Sequence, residues 1–279
     1  MSSAPFKVAG VLGWPVAQSR SPKLHGYWLE KYKIPGTYIP LPVQPDRLPD
    51  AIRGLRAFGF AGCNVTLPHK VAIMDLVDRV EPLAKRIGAV NLIVAEPDGS
   101  LSAYNKDGFG FIQCLRDVRP DWRADSGPIV VLGAGGGARG AVVSMADEGA
   151  REIRLVNRTI SKAEVIANAA GPCVKVLPWE KRSEALDGAA LLVNCTSLGM
   201  IGQPPLDIAL DPLPASALVC DIIYNPLETA LLAASRKRGN TTVNGLGMLL
   251  HQARPAFQHW FGVMPEVTPE LRQSIEATI

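Results

Sequence analysis

A chain of 279 residues exceeds the roughly 100–200 residues of a usual domain, so two cores are expected. The hydrophobic (47%) and charged (20%) fractions are those of a globular protein, and a formal charge of only +3, with basic residues scattered, argues against nucleic acid as a partner. The longest apolar run, around Ala189–Val193, is far below the ~18 residues needed to cross a bilayer, so no membrane span is expected. Met1–Pro5 has no basic stretch, and the apolar residues after it are interrupted by Gly10, Gly13 and Pro15, which reads as no secretory signal. Five cysteines, an odd number with no CxxC pair, suit a reducing, cytoplasmic setting as small buried hydrophobes. His25, His69, His251 and His259 show no HExxH or Cys/His spacing, so no metal site is expected.

From Lys7 to about Gly110, short strand-like runs (VAGVL, AGCNV, AVNLIVA) alternate with helix-like stretches, one carrying Leu48, Ile52 and Leu55 at helical spacing. That is α/β patterning. Pro120–Pro128 turns polar and rich in Pro and Gly, after which PIVVLGAGGGARGAVVSM begins a new strand, glycine turn and helix. Further strands are expected at Ile153–Val156, Val174–Leu177, Ala190–Asn194, Leu218–Ile222 and Thr241–Val243, with a helix ending in Arg236-Lys237-Arg238 before Gly239. Gln203–Pro214 reads as a loop, and Met248–Trp260 and Pro269–Ile279 as closing helices. The expected fold class is α/β, with an N-terminal α/β domain over 1–110, completed by helices of 246–279 packing back on it. A doubly wound parallel (Rossmann) sheet is expected over 111–245.

Gly133, Gly135, Gly136, Gly137 and Ala138 fit G-x-G-x-x-A between a strand and a helix. Such a turn lets main-chain N–H groups approach a pyrophosphate at the positive end of the next helix. About 20 residues on, where NAD enzymes usually place a carboxylate for the ribose, stand Asn157, Arg158 and Thr159. A guanidinium and a hydroxyl there would take a 2′-phosphate, so NADP is the expected cofactor. Lys162 either adds a second cation or is a solvated surface lysine.

The segments GWPVAQSRSPKLH, GCNVTLPHK, IGAVN, YNKDGFG, GAGGGARG, NRT, DIIYNPLETALL and NGLGMLLHQA, in this order and spacing, resemble the shikimate dehydrogenase family over nearly the whole chain. The resemblance implies NADPH-dependent reduction of 3-dehydroshikimate to shikimate, with hydride passing across a cleft between two domains. It makes Lys70 the catalytic lysine and Asp107 its partner. Ser19 and Ser21 become ligands of the substrate carboxylate, and Asn64, Thr66, Asn91 and Gln252 ligands of the ring hydroxyls. Tyr224 and Gly245 fall beside substrate and nicotinamide. Taken without the family, Ser19 and Ser21 read as a helix cap with its loop, Lys70 as a surface lysine, Asp107 as an N-cap and Tyr224 as a half-buried ring.

Two departures stand out. Lys106 occupies the position of the family's threonine in N-T-D-G, and Leu92 follows Gly88-Ala89-Val90-Asn91 where the family has threonine. Lys106 either brings a cation into the pocket or points to water. The alternatives are therefore a dehydrogenase for a related polyol, such as quinate or an amino analogue of shikimate, or a sensor of the same fold without turnover. The expected partner is a small hydroxy acid, and a homodimer stays open.

Overall fold

Residues 5–279 are described by the computed structural model, and the chain divides into two units: the residues up to Lys106 with Gln252–Thr278, and Asp107–His251. The first unit contains β1 (Lys7–Gly13), α1 (Ser21–Lys31), β2 (Gly36–Pro42), α2 (Leu48–Ala57), β3 (Gly62–Val65), β4 (Arg79–Val80), α3 (Pro82–Ile87), β5 (Leu92–Ala95) and β6 (Leu101–Tyr104). The second contains α4 (Asp107–Val118), β7 (Ile129–Leu132), α5 (Gly136–Asp147), β8 (Ile153–Asn157), α6 (Ile160–Ala170), β9 (Val174–Pro178), β10 (Leu191–Asn194), β11 (Leu218–Asp221), α7 (Ala230–Lys237) and β12 (Thr241–Val243). The chain closes with α8 (Leu246–Phe261) and α9 (Pro269–Glu276). The unit boundaries fall at Asp107, where α4 begins, and at Gln252 inside α8, a few residues away from the breaks at 110 and 246 expected from the sequence.

The first sheet has the order β2-β1-β3-β5-β6-β4 and is mixed: β1 runs parallel to β2 and β3, whereas β5 is antiparallel to both β3 and β6. One face buries Leu48, Ile52 and Leu55 of α2 against Leu12, Val65 and Ile93. The helical spacing of those three residues therefore marks the buried stripe of α2. An aromatic cluster of Trp28, Tyr38, Phe257 and Trp260, with His25 among them, forms a second packed region and ties α8 into the first unit. The Trp260 indole donates to the Ile93 carbonyl at 3.0 Å, and that of Trp28 to the Glu266 carbonyl at 3.2 Å.

All strands of the second sheet are parallel, in the order β12-β11-β10-β7-β8-β9. Counted from its own first strand this is 6-5-4-1-2-3, the doubly wound dinucleotide-binding order. Alternate residues explain the unbroken apolar runs. Ile129 and Val131 of β7, like Leu191 and Val193 of β10, enter one core cluster, while Val130, Leu132 and Leu192 enter another. A strand buried on both faces has no polar side to show.

Candidate active site

In the first unit the ends of β1, β3 and β5 carry the polar residues. Asn91 is the hub. Its carbonyl accepts the Val65 N–H at 2.9 Å and the Asn64 side-chain amide at 3.0 Å. Its own side-chain oxygen accepts the Lys106 N–H at 2.8 Å, which turns Nδ2 toward Gln252 Oε1 at 3.3 Å. Asn64 is oriented by the same logic: a carbonyl only accepts, so Nδ2 faces Asn91 and Oδ1 faces the Tyr38 hydroxyl, which donates to it at 2.7 Å. Burial drives the Tyr38 hydroxyl well above its ordinary pKa, with the Cys63 thiol adding to burial and the nearby Ser21 hydroxyl opposing it. Tyr38, Ser21, Asn64 and Asn91 are all buried, where polar groups need such partners.

Asn64, Asn91 and Gln252 are thus brought into one hydrogen-bonded group, joined by Tyr38, a member that sequence reasoning did not place there, and by the Lys106 main chain, and buried Ser21 lies beside the Tyr38 phenol. Ser19 lies two residues before Ser21, and its hydroxyl accepts the Ser21 N–H at 3.3 Å. No side chain caps α1, so the cap reading of the two serines reduces to that local turn. Thr66 follows β3, its N–H bonded to the Leu12 carbonyl at 2.9 Å. Lys70 is half-buried on the next turn, its carbonyl accepting the Val90 N–H at 2.8 Å. Asp107 is the first residue of α4, in the second unit, and is buried.

The Lys106 side chain does not point out to water. Its ammonium lies 3.0 Å from Glu81, with the lysine side chain only 19% exposed, and 5.1 Å from the centre of the Tyr104 ring. A desolvated ammonium needs such a partner, and the carboxylate comes from the residue before α3, out of reach of sequence spacing.

In the second unit the glycine turn follows β7. Gly133 has a φ of +97°, and a side chain there would press on Cys195 and Thr196. Gly135 faces open space, so a phosphate could approach its main chain, and Gly136, Gly137 and Ala138 begin α5. Asn157 ends β8 and holds the Thr159 carbonyl at 2.8 Å, leaving Arg158 and Thr159 exposed beside it. Gly133, Gly135, Asn157 and Arg158 line one pocket of about 220 Å³ together with Thr196 and Trp179. Lys162 is exposed on the first turn of α6, outside that lining. The residues present therefore suit a dinucleotide carrying a 2′-phosphate.

Gly245 is buried, and a Cβ there would fall 1.9 Å from the Ile222 carbonyl, so no other residue fits. Half-buried Tyr224 belongs to the loop after β11, which Asp221 organises. That fully buried carboxylate accepts from Thr229 Oγ1 at 2.8 Å, Asn194 Nδ2 at 3.1 Å and the Ile223 N–H at 3.1 Å. Burial still raises its pKa against the pull of these donors. Asn194 in turn holds Thr196 and the Leu198 carbonyl, shaping the loop that lines the nucleotide pocket. The histidines have separate partners: His69 faces the Val43 carbonyl, His251 faces Asp117, His259 stacks on Tyr104 and His25 on Tyr38. Among the described residues no group of three or more His, Cys, Asp or Glu could hold a metal ion, and no helix is long and apolar enough to cross a membrane.

A parallel sheet of this order with a glycine turn and an Asn-Arg-Thr edge, in one chain with a buried set of amides and hydroxyls suited to a small hydroxylated ligand, defines a dinucleotide-dependent oxidoreductase. Residues 11–93 match the family described as shikimate dehydrogenase substrate binding domain, 121–201 that of shikimate / quinate 5-dehydrogenase, and 245–269 the shikimate 5'-dehydrogenase C-terminal domain. The chain belongs to the shikimate dehydrogenase family. It is 53% identical over 270 residues to the shikimate dehydrogenase (NADP(+)) of Paramagnetospirillum magneticum, covering 97% of this chain and 98% of that one. It is 52% identical to the Rhodospirillum rubrum enzyme of the same name, covering 99% of each. The shikimate 5-dehydrogenase of Thermus thermophilus, solved with NADP(H) and shikimate, superposes with a TM-score of 0.86 at 32% identity, over 98% of this chain and 100% of that one.

Proposed function

We propose that this chain interconverts 3-dehydroshikimate and shikimate, with NADP as the hydride carrier and Lys70 and Asp107 as the acid–base residues. The observation that carries the reading is the hydrogen-bonded set formed by Asn64, Asn91 and Gln252, in a chain that aligns end to end with enzymes of that name. Bound NADPH supplies the hydride, and NADP⁺ accepts it in the reverse direction. Reduction leaves negative charge on the ketone oxygen, so a proton donor is needed within roughly 2.6–3.2 Å of it. Lys70 takes that role, with Asp107 as its partner. In the reverse direction Lys70 accepts the hydroxyl proton.

Ser19 and Ser21 donate to the substrate carboxylate, while Asn64, Thr66, Asn91 and Gln252 take the ring hydroxyls. Arg158 and Thr159 take the 2′-phosphate, the glycine turn takes the pyrophosphate, and Tyr224 and Gly245 border ring and nicotinamide. The cysteines are unbridged, which fits a reducing compartment such as the cytoplasm.

The Lys106–Glu81 pair bears on substrate identity. A lysine already matched by a carboxylate asks for no extra acceptor on the substrate, which favours shikimate over a more highly substituted analogue. The test is a panel of shikimate, quinate and an amino analogue with NADP⁺ and with NAD⁺, followed at the NADPH absorbance band. Shikimate with NADP⁺ should give the highest kcat/KM, and a higher value for quinate would overturn the assignment.

A further inference from the structure

We infer that Trp179, braced by Arg182, is the platform on which the nucleotide base stacks in the second unit. Trp179 follows β9 in a single turn of 3-10 helix and is half-buried. It lines the same 220 Å³ pocket as the glycine turn and Arg158. Phosphate-binding groups and a cationic edge account for the polar part of a dinucleotide, and the base still needs an apolar, flat surface. An indole gives that surface to any base, because every base has a π-face.

The ring packs against the apolar cluster of Val130 and Leu132 and is held there by a cation. The Arg182 guanidinium lies 5.4 Å from the indole centroid, in cation–π range. Arg182 is itself fixed by hydrogen bonds to the Asp207 carbonyl at 2.6 Å, the Asp207 carboxylate at 3.0 Å and the Trp179 carbonyl at 3.3 Å. An indole pinned in this way loses little freedom when a base settles on it, so less of the stacking energy goes into ordering the side chain. The pocket's other lining residues at Cys195–Leu198 are held by the Asn194 network and contribute no ring, which leaves Trp179 as the aromatic member.

The probe is 2′,5′-ADP, which carries the base and the 2′-phosphate but no nicotinamide, titrated by calorimetry into the full chain. Trp179→Leu should weaken it roughly 5- to 100-fold, the range for loss of a base–aromatic stack. The KM for NADPH should rise by a similar factor, and the KM for shikimate far less. Trp179→Phe, which keeps a ring and guards against a folding artefact, should recover most of the affinity. Reduced nicotinamide mononucleotide, a hydride donor without adenine, should lose much less than NADPH does in Trp179→Leu. Unaltered 2′,5′-ADP affinity in Trp179→Leu would overturn the platform, as would a Phe variant as weak as Leu or an equal loss with the mononucleotide. Failure of the unsubstituted chain to bind 2′,5′-ADP would overturn the pocket's nucleotide assignment and the platform together.

Discussion

Replacing Tyr38 by Phe removes one oxygen from a buried chain of hydrogen bonds and leaves the ring stacked on His25, 4.0 Å away and within 6° of parallel. Asn64 Oδ1, on a buried side chain, then loses the donor at 2.7 Å. An unmet buried acceptor costs about 1–3 kcal/mol. Asn64 can relieve the loss only by rotating its amide, which would break its bond to the Asn91 carbonyl at 3.0 Å. Part of the loss therefore falls on folding and part on ligand binding. We expect a fall in melting temperature of about 2–6 °C, taking about 2–4 °C per kcal/mol for a protein of this size. The KM for shikimate should rise ~10-fold, equivalent to about 1.4 kcal/mol, while kcat and the KM for NADPH move much less. Steady-state kinetics with each substrate varied in turn, alongside thermal unfolding, read all of these. If Ser21 and Asn64 act through the phenol, Ser21→Ala should add less in the Tyr38→Phe background than in the native one. A lowered melting temperature with an unchanged shikimate KM would make Tyr38 a packing residue only and refute this reasoning.

Further outcomes follow from other parts of the structure. Lys106→Thr should change the shikimate-to-quinate ratio of kcat/KM by less than about threefold, because the charge it removes is already neutralised by Glu81; a change of an order of magnitude would place the ammonium in contact with substrate. Arg158→Ala should weaken NADPH about 10- to 100-fold, the worth of a charge-assisted contact, and NADH far less, and equal losses would contradict a 2′-phosphate contact. His25 is fully buried, neither ring nitrogen makes a hydrogen bond of good geometry, and burial pushes its pKa down to about 3 against a small opposing effect of Asn64. The folded chain therefore refuses a proton that the unfolded chain takes up below its ordinary value of 6.5, so this contribution to stability is complete above that value and shrinks as the pH falls from 6.5 toward 3. About 2 kcal/mol should be lost at pH ~5. Denaturant titrations of the native chain and His25→Phe at pH ~7.5 and ~5 should differ by that amount, and parallel pH dependence would refute it.

The second unit was largely legible because its signals are local. A parallel strand reads as a short apolar run, and the glycine turn, Asn-Arg-Thr edge and following helices each occupy consecutive residues. In the first unit, β2 escaped because Pro40 and Pro42 argue against a strand; it lies at the sheet edge, paired with β1 alone, where missing N–H donors are tolerated. The antiparallel insertion of β5 was hidden too, since a strand with Leu92, Ile93 and Val94 all buried shows no alternation that would set its direction. The site divides in the same way. Residues inside the family motifs could be named, whereas Tyr38, Glu81, Trp179 and Asp221 take their importance from partners 26, 25, 3 and 27 residues distant, contacts that only the folded chain reveals.

The most direct measurement is the rate of NADPH oxidation with 3-dehydroshikimate by the native chain and by Lys70→Ala, with NADPH affinity determined separately for both. The native chain should turn over, and the variant should be slower by ~10²–10⁴-fold, the usual contribution of a general acid–base, while still binding NADPH. Absence of dehydroshikimate-dependent oxidation by the native chain would contradict the assigned reaction, and native-like turnover by Lys70→Ala would contradict its mechanism.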